Sequence, residues 1–260
     1  MTLLLRELAY FFAAVRFFTR LPVPAWVGHS AEMLQAAARY FAAVGLLVGG
    51  IGAAAFCLAA QVWPQPVAVL ASLAATLYAT GAFHEDGLSD MVDGFGGGWT
   101  RERILDIMKD SRVGSYGATA LFLALAGKVA ALCLLPAAWV PAALVAGHSV
   151  SRCCSGALLT RLDYVREDLS SKSKPLATRM PLSALAVSAL FAAAGLALWC
   201  AAAPAALLLP ALFLALLATV WLARLMLRNL GGYTGDCLGA AQQVSEIAFY
   251  LGLLAQWPAI

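Results

Sequence analysis

Charge is what this 260-residue sequence has least of. Asp, Glu, Lys and Arg make up 12% of it against 62% apolar residues, and the mean hydropathy is +0.83. A soluble domain of this length cannot bury that much apolar surface, so the expected solvent is lipid. No charged residue occurs from Tyr40 to His84 or from Pro181 to Ala223. Each gap leaves room for two crossings at about 20 residues per transmembrane helix. A net charge of +3 is too small to argue for nucleic acid, so no nucleic-acid partner is expected. The six cysteines (Cys57, Cys133, Cys153, Cys154, Cys200, Cys237) show no C-x-x-C spacing, which argues against a zinc site or a disulfide framework. Internal repeats and a disordered tail are also missing. The amino terminus has no signal-peptide pattern, being interrupted by Arg6, Glu7, Arg16 and Arg20, so the mature chain is expected to begin at Met1.

What is there is a run of seven apolar segments, roughly 41–62, 67–83, 118–135, 142–159, 182–200, 205–223 and 238–256. Helix is the only open-ended structure that satisfies its own backbone in hydrocarbon. The expected fold is therefore all-α: one polytopic integral-membrane domain over residues 1–260, with about seven transmembrane helices. The turns 63–66, 136–141 and 201–204 are short and uncharged. Basic residues collect in the other connections: Arg101, Arg103, Lys109 and Arg112; Arg161, Arg166, Lys172, Lys174 and Arg179; Arg224 and Arg228. The positive-inside rule places these loops on the cytoplasmic face. Of 17 Lys and Arg, only Lys128 and Arg152 fall inside a segment. Residues 3–18 read equally as an interfacial amphipathic helix or an extra span.

Three stretches carry chemistry. In His84-Glu85-Asp86-Gly87-Leu88-Ser89-Asp90-Met91-Val92-Asp93-Gly94, the aspartates are spaced i, i+4 and i+7. If the helix continues from the second segment, Asp86, Asp90 and Asp93 share one face, where like charges repel unless a cation neutralises them. Hard oxygen ligands select Mg²⁺ or Mn²⁺, which clamp phosphate or pyrophosphate. The bland alternative is a solvated acidic loop. Gly94 and its neighbours would let backbone approach a phosphate. His84 could orient a ligand or relay a proton, or be an ordinary interfacial histidine. Glu85 points off the Asp face and is not expected to be a ligand.

The second stretch, Ile107 to Gly117, joins Lys109 and Arg112 to Gly114 just before an apolar helix. It reads as an anion cradle, with positive-inside anchoring as the alternative. The third, Gly231 to Gly239, contains Gly235 and Asp236 and precedes Glu246. Asp236 could complete a metal shell, act as general base, or only cap a helix. Glu246 and Lys128 are charges inside apolar segments, so each is a functional candidate by default; an internal salt bridge between them is the alternative. His148 and Arg152, at i and i+4, could share a polar face.

Together these stretches resemble the cobalamin synthase family, the adenosylcobinamide-GDP ribazoletransferases. The resemblance rests on Phe18-Thr19-Arg20-Leu21-Pro22-Val23-Pro24, the blocks 81–98 and 103–117, and Gly231 to Gly239 with Glu246. It implies a multi-pass enzyme of the bacterial inner membrane that depends on Mg²⁺ and acts on the cytoplasmic side. Adenosylcobinamide-GDP and α-ribazole, or α-ribazole 5′-phosphate, would give adenosylcobalamin, or its 5′-phosphate, plus GMP. Asp86, Asp90 and Asp93 are assigned to Mg²⁺, Lys109 and Arg112 to the phosphates, and the general base to Asp236 or a cluster aspartate. Gly94, Gly114, Gly235, Lys128 and Glu246 are expected to line the substrate site. Candidate partners are the lipid bilayer, a second copy of the chain and other cobalamin-pathway enzymes docking on the basic loop 161–179. The rival readings are a CDP-alcohol phosphotransferase or membrane prenyltransferase, and a transporter lined by Lys128, Glu246 and His148.

Overall fold

The computed structural model describes residues 2–166 and 178–255. Among these residues are eleven α-helices: α1 (Leu3–Phe18), α2 (Ala31–Ala37), α3 (Phe41–Ala59), α4 (Gln65–Thr80), α5 (Phe83–Gly97), α6 (Arg101–Ile107), α7 (Ser115–Leu134), α8 (Val140–Leu158), α9 (Leu182–Ala202), α10 (Leu208–Leu230) and α11 (Gly235–Leu253). The seven apolar segments are α3, α4 and α7 to α11; Gln256 and the loop residues Lys172 and Lys174 lie outside the described residues. Several helices begin where a hydroxyl can accept an orphan backbone N–H. Ser30 accepts from Met33, Thr100 from Arg103 and Thr234 from Cys237.

Four helical stretches are long and apolar enough to cross a bilayer: Ala31–Ala59, Ser115–Leu134, Leu182–Ala202 and Ala205–Leu230. Helices α4 and α5 pass the same test only as a pair, and they are bent by 86°. Length and hydropathy thus support an integral membrane protein with four crossings, or five if the bent pair is one. The α8 and α11 helices are more polar because they carry His148 and Arg152, and Asp236, Gln242, Gln243 and Glu246. They are also the central helices. Helix α8 packs on α3, α9 and α11, while α11 packs on α5, α7, α8 and α10. Lipid-facing apolar residues sit instead on the outer helices, among them Phe122, Leu123, Leu190, Leu209 and Phe213.

Close helix approach depends on small residues. Gly45 and Gly49, one turn apart on α3, face α8 so tightly that a methyl at Gly45 would lie 2.3 Å from the His148 carbonyl oxygen. Residues 3–18 form α1, which buries Ala9, Ala13, Ala14 and Phe18 and exposes Leu3, Leu4 and Leu5; it is not among the candidate crossings.

The acidic stretch is helical, as its spacing predicts, but it does not continue α4. Gly81 (φ +66°) and Ala82 (φ +55°) are both left-handed, and they turn the chain into α5. For alanine that conformation costs about 1–2 kcal/mol. Arg20 holds the corner from outside: its backbone N–H donates to the Ala79 carbonyl at 2.8 Å, and its side chain covers Gly81.

Candidate active site

Helix α5 crosses the start of α11 at two glycines. A methyl at Gly87 would come within 2.9 Å of the Asp236 carbonyl oxygen, and one at Gly239 within 3.1 Å of the His84 carbonyl oxygen. This crossing brings Asp236 into the electrostatic reach of Asp86 and Asp90. Asp86 is exposed and Asp90 half-buried. Burial first, then the Asp86 and Asp236 carboxylates, push Asp90 up to about 7. Asp236 is also raised, chiefly by burial, with Arg166 opposing and Asp86 adding to the shift. Thr234, not Asp236, caps α11.

Asp93 lies on the same stripe but is committed elsewhere. Its Oδ2 accepts the Gly114 N–H at 2.8 Å and its Oδ1 the Gly117 N–H at 2.9 Å. The anion cradle expected at the start of α7 therefore exists, and it holds the chain's own carboxylate. A side chain at Gly114 would strike Asp93. Asp93 thus spends one acceptor site of each oxygen on the start of α7, and Gly114 packs against it. Gly94 is likewise a packing position, where a methyl would meet Met108 at 2.6 Å.

The guanidinium at the acidic cluster is that of Arg166. Its Nη2 donates to Asp236 Oδ2 at 2.8 Å and to the Met108 carbonyl at 3.3 Å. Arg112 instead closes on its neighbour Asp110, Nε to Oδ1 at 3.0 Å, and holds that exposed carboxyl at about 2. Lys109 is exposed, one residue beyond Met108. In the sequence Arg166 is one of several basic loop residues already explained by the positive-inside rule, so its charge alone does not mark it as a site residue.

Lys128 and Glu246 are placed in the bundle interior, 3.1 Å apart. Glu246 also accepts from Gln242 at 2.6 Å and from the Tyr250 hydroxyl at 3.1 Å, and it lies 3.3 Å from His148. Glu85 faces the same interior, accepting from Gln243 at 2.9 Å with Lys128 at 4.0 Å. Arg152 bonds His148. Lys128 meets both carboxylates, and Arg152 reaches Glu246 only through His148, so these side chains bond one another within the bundle, which disfavours the transporter reading. Glu85 is off the acidic face, as expected. Lys128 and Glu246 form the internal ion pair that was the alternative to a substrate role.

His84 is buried and stacks on Phe18, ring centroids 5.5 Å apart at 14°. It lines a cavity with Phe17, Phe41, Phe83 and Arg152, and Gly235 reaches the same wall from α11. Among the described residues no group of three His, Cys, Asp or Glu is already closed up at metal-ligand spacing. The donors that converge, Asp86, Asp90 and Asp236, are nonetheless all carboxylate oxygens, and their mutual repulsion favours a hard cation.

Fold and site together define a helical membrane protein with an arginine-assisted acidic site, the donor set of phosphoryl-transfer chemistry. The profile of the CobS family, described as Cobalamin-5-phosphate synthase, matches residues 10–254. The chain belongs to that family. It is 46% identical over 261 residues to an adenosylcobinamide-GDP ribazoletransferase of Shewanella frigidimarina, covering 96% of each chain. The enzyme of the same name from Leptothrix cholodnii is 48% identical over 259 residues, 98% of each chain, and that of Vibrio cholerae 45% over 251 residues, 96% of this chain and 94% of the relative. No solved structure matches the chain.

Proposed function

We propose that this chain joins α-ribazole, or its 5′-phosphate, to adenosylcobinamide-GDP with release of GMP. The observation that carries the reading is the convergence of Asp86 and Asp90 from α5, Asp236 from α11 and Arg166 from the loop after α8, in a chain of the CobS family. Asp86 and Asp90 would hold Mg²⁺; when bound, the ion would neutralise charge on the pyrophosphate and on departing GMP. Arg166 orients Asp236 and presents its remaining N–H groups to phosphate oxygens. Asp236 takes the proton of the attacking ribose hydroxyl, and its raised proton affinity suits a base. The new bond joins the ribose oxygen to the phosphorus on the cobinamide side, and the bond to the GMP oxygen breaks. Positioning by α5 and α11 supplies much of the rate. Lys109 and Arg112 lie on loops near the site and are proposed to meet the phosphates of the incoming substrate.

We further read all seven long helices, with α8 and α11 protected inside the bundle, as crossing a bacterial inner membrane as one domain. The basic loops and the acidic site then face the cytoplasm. The test is GMP release by the purified protein from adenosylcobinamide-GDP and α-ribazole, with Mg²⁺ or with EDTA. Turnover that needs Mg²⁺ supports the reading, and a folded protein with no turnover sinks it.

A further inference from the structure

The cavity beside the acidic cluster is not explained by phosphoryl chemistry. It measures about 50 Å³, or about 520 Å³ when all space unfilled by atoms is counted out to its mouth. Its walls are aromatic and apolar: Phe17, Phe18, Phe41, Phe83, Leu159 and Leu238, with His84 stacked flat on Phe18. A seat of parallel and edge-on rings suits a flat aromatic guest. Phe83, at 40% exposure, is the lining ring nearest to the surface in this aromatic group.

One charged side chain also lines this cavity. Arg152 is 2% exposed, yet among described residues its guanidinium meets acceptors only through Nη1, on His148; its Nε has no hydrogen-bond partner. A buried donor without an acceptor is costly, and such a group in a cavity wall points to a guest carrying an acceptor. The cavity is joined to the acidic site through both elements that build it. His84 lies two residues before Asp86 on α5, and Gly235 and Gly239 flank Asp236 on α11.

We propose that this cavity seats the flat bicyclic base of α-ribazole, with Arg152 donating an N–H to the base's one free ring nitrogen and the phenylalanines enclosing its apolar rim. The inference rests on the ribazoletransferase reading and adds a specificity site to it. Seating the base here points its ribose toward Asp236, where the hydroxyl must be deprotonated.

The experiment measures GMP release with each substrate varied in turn, for wild type, Ser155→Phe and Leu238→Phe. Both substitutions fill the cavity from opposite walls, so one remains informative if the other fails to fold. The expected result is a KM for α-ribazole raised about tenfold or more, from lost apolar burial of the base, with the KM for adenosylcobinamide-GDP within about twofold of wild type. The unchanged second KM reports an intact fold and acidic site. Wild-type turnover with the ribazole KM unmoved in both variants overturns the seat and leaves the reaction standing. Absence of wild-type turnover removes the reaction reading, and this inference with it.

Discussion

The Asp93 carboxylate accepts the Gly114 N–H at 2.8 Å, and with the Gly117 N–H it fastens the acidic helix to the start of α7. Asp93→Ala leaves one buried and one part-buried amide without an acceptor, and charge-assisted bonds of this kind contribute about 1.5–3 kcal/mol each. The variant should unfold at lower temperature in detergent, while its residual activity keeps the wild-type Mg²⁺ requirement. Asp90→Asn should do the opposite, retaining the melting temperature and losing the response to Mg²⁺. Metal titrations and melting curves on the two variants decide whether the aspartate stripe divides its labour in this way.

The Asp90 carboxyl, raised to about 7 by burial and its acidic neighbours, must lose its proton before it can take a cation. Proton competition therefore weakens Mg²⁺ binding as pH falls. From pH 8 to pH 6 the ionised fraction of a group with that pKa drops about tenfold, and the apparent Mg²⁺ affinity should drop with it. In metal-free protein the linkage has the opposite sign for folding. The folded state holds a proton that the unfolded chain has released between pH 4 and pH 7, so stability rises as pH is lowered through that window. Magnesium titrations at three pH values check the first statement; a pH-independent affinity would remove Asp90 from the metal site.

Arg166 reaches Asp236 at 2.8 Å from a loop otherwise explained by membrane topology. Replacing it by Met should lower kcat about tenfold to a hundredfold, the equivalent of one charge-assisted hydrogen bond. Arg112→Met removes an exposed ion pair with Asp110 and should cost kcat far less. Steady-state kinetics on both variants compare them, and a larger loss for Arg112 would make the second motif, not Arg166, the principal phosphate contact.

Lys128 and Glu246 are buried and paired at 3.1 Å. Removing one partner of such a pair costs about 3–5 kcal/mol because the other charge is stranded. Lys128→Met alone should destabilise the protein severely, and adding Glu246→Gln should recover part of the loss. A double-mutant cycle by thermal unfolding in detergent measures the coupling. Additive losses would mean that the two side chains do not depend on each other.

Much of this architecture is legible in the sequence because lipid imposes a simple rule. Apolar runs of about 20 residues must be helical in hydrocarbon, and each of the seven drawn is a helix. The Lys128–Glu246 partnership is legible for a related reason, since a charge in an apolar segment needs a counter-charge. The corner between α4 and α5 is not, because a left-handed alanine at position 82 has no sequence signature. The backbone partners of Asp93 are hidden for a different reason. Its spacing puts it on the metal face, but its partners are backbone amides 21 and 24 residues away, and a helix wheel shows only neighbours on the same helix. Arg166 is hidden because its charge had a sufficient explanation in topology.

The polar interior of α8 and α11 bears on how the protein enters the membrane during synthesis. Neither helix is apolar enough to be retained in the bilayer on hydropathy alone, since each charged residue near a helix centre adds about 2.5–3.5 kcal/mol to the insertion cost. Lys128 and Arg152 emerge from the ribosome well before Glu246, when Glu85 is the one interior carboxylate already made. Until α11 is made, α8 has to be sheltered by its glycine-mediated contact with α3 and by the insertion machinery itself. Assembly is therefore coupled to completion of α11, and a ribosome stalled before Gly235 would leave two interior cations facing one carboxylate in place of two.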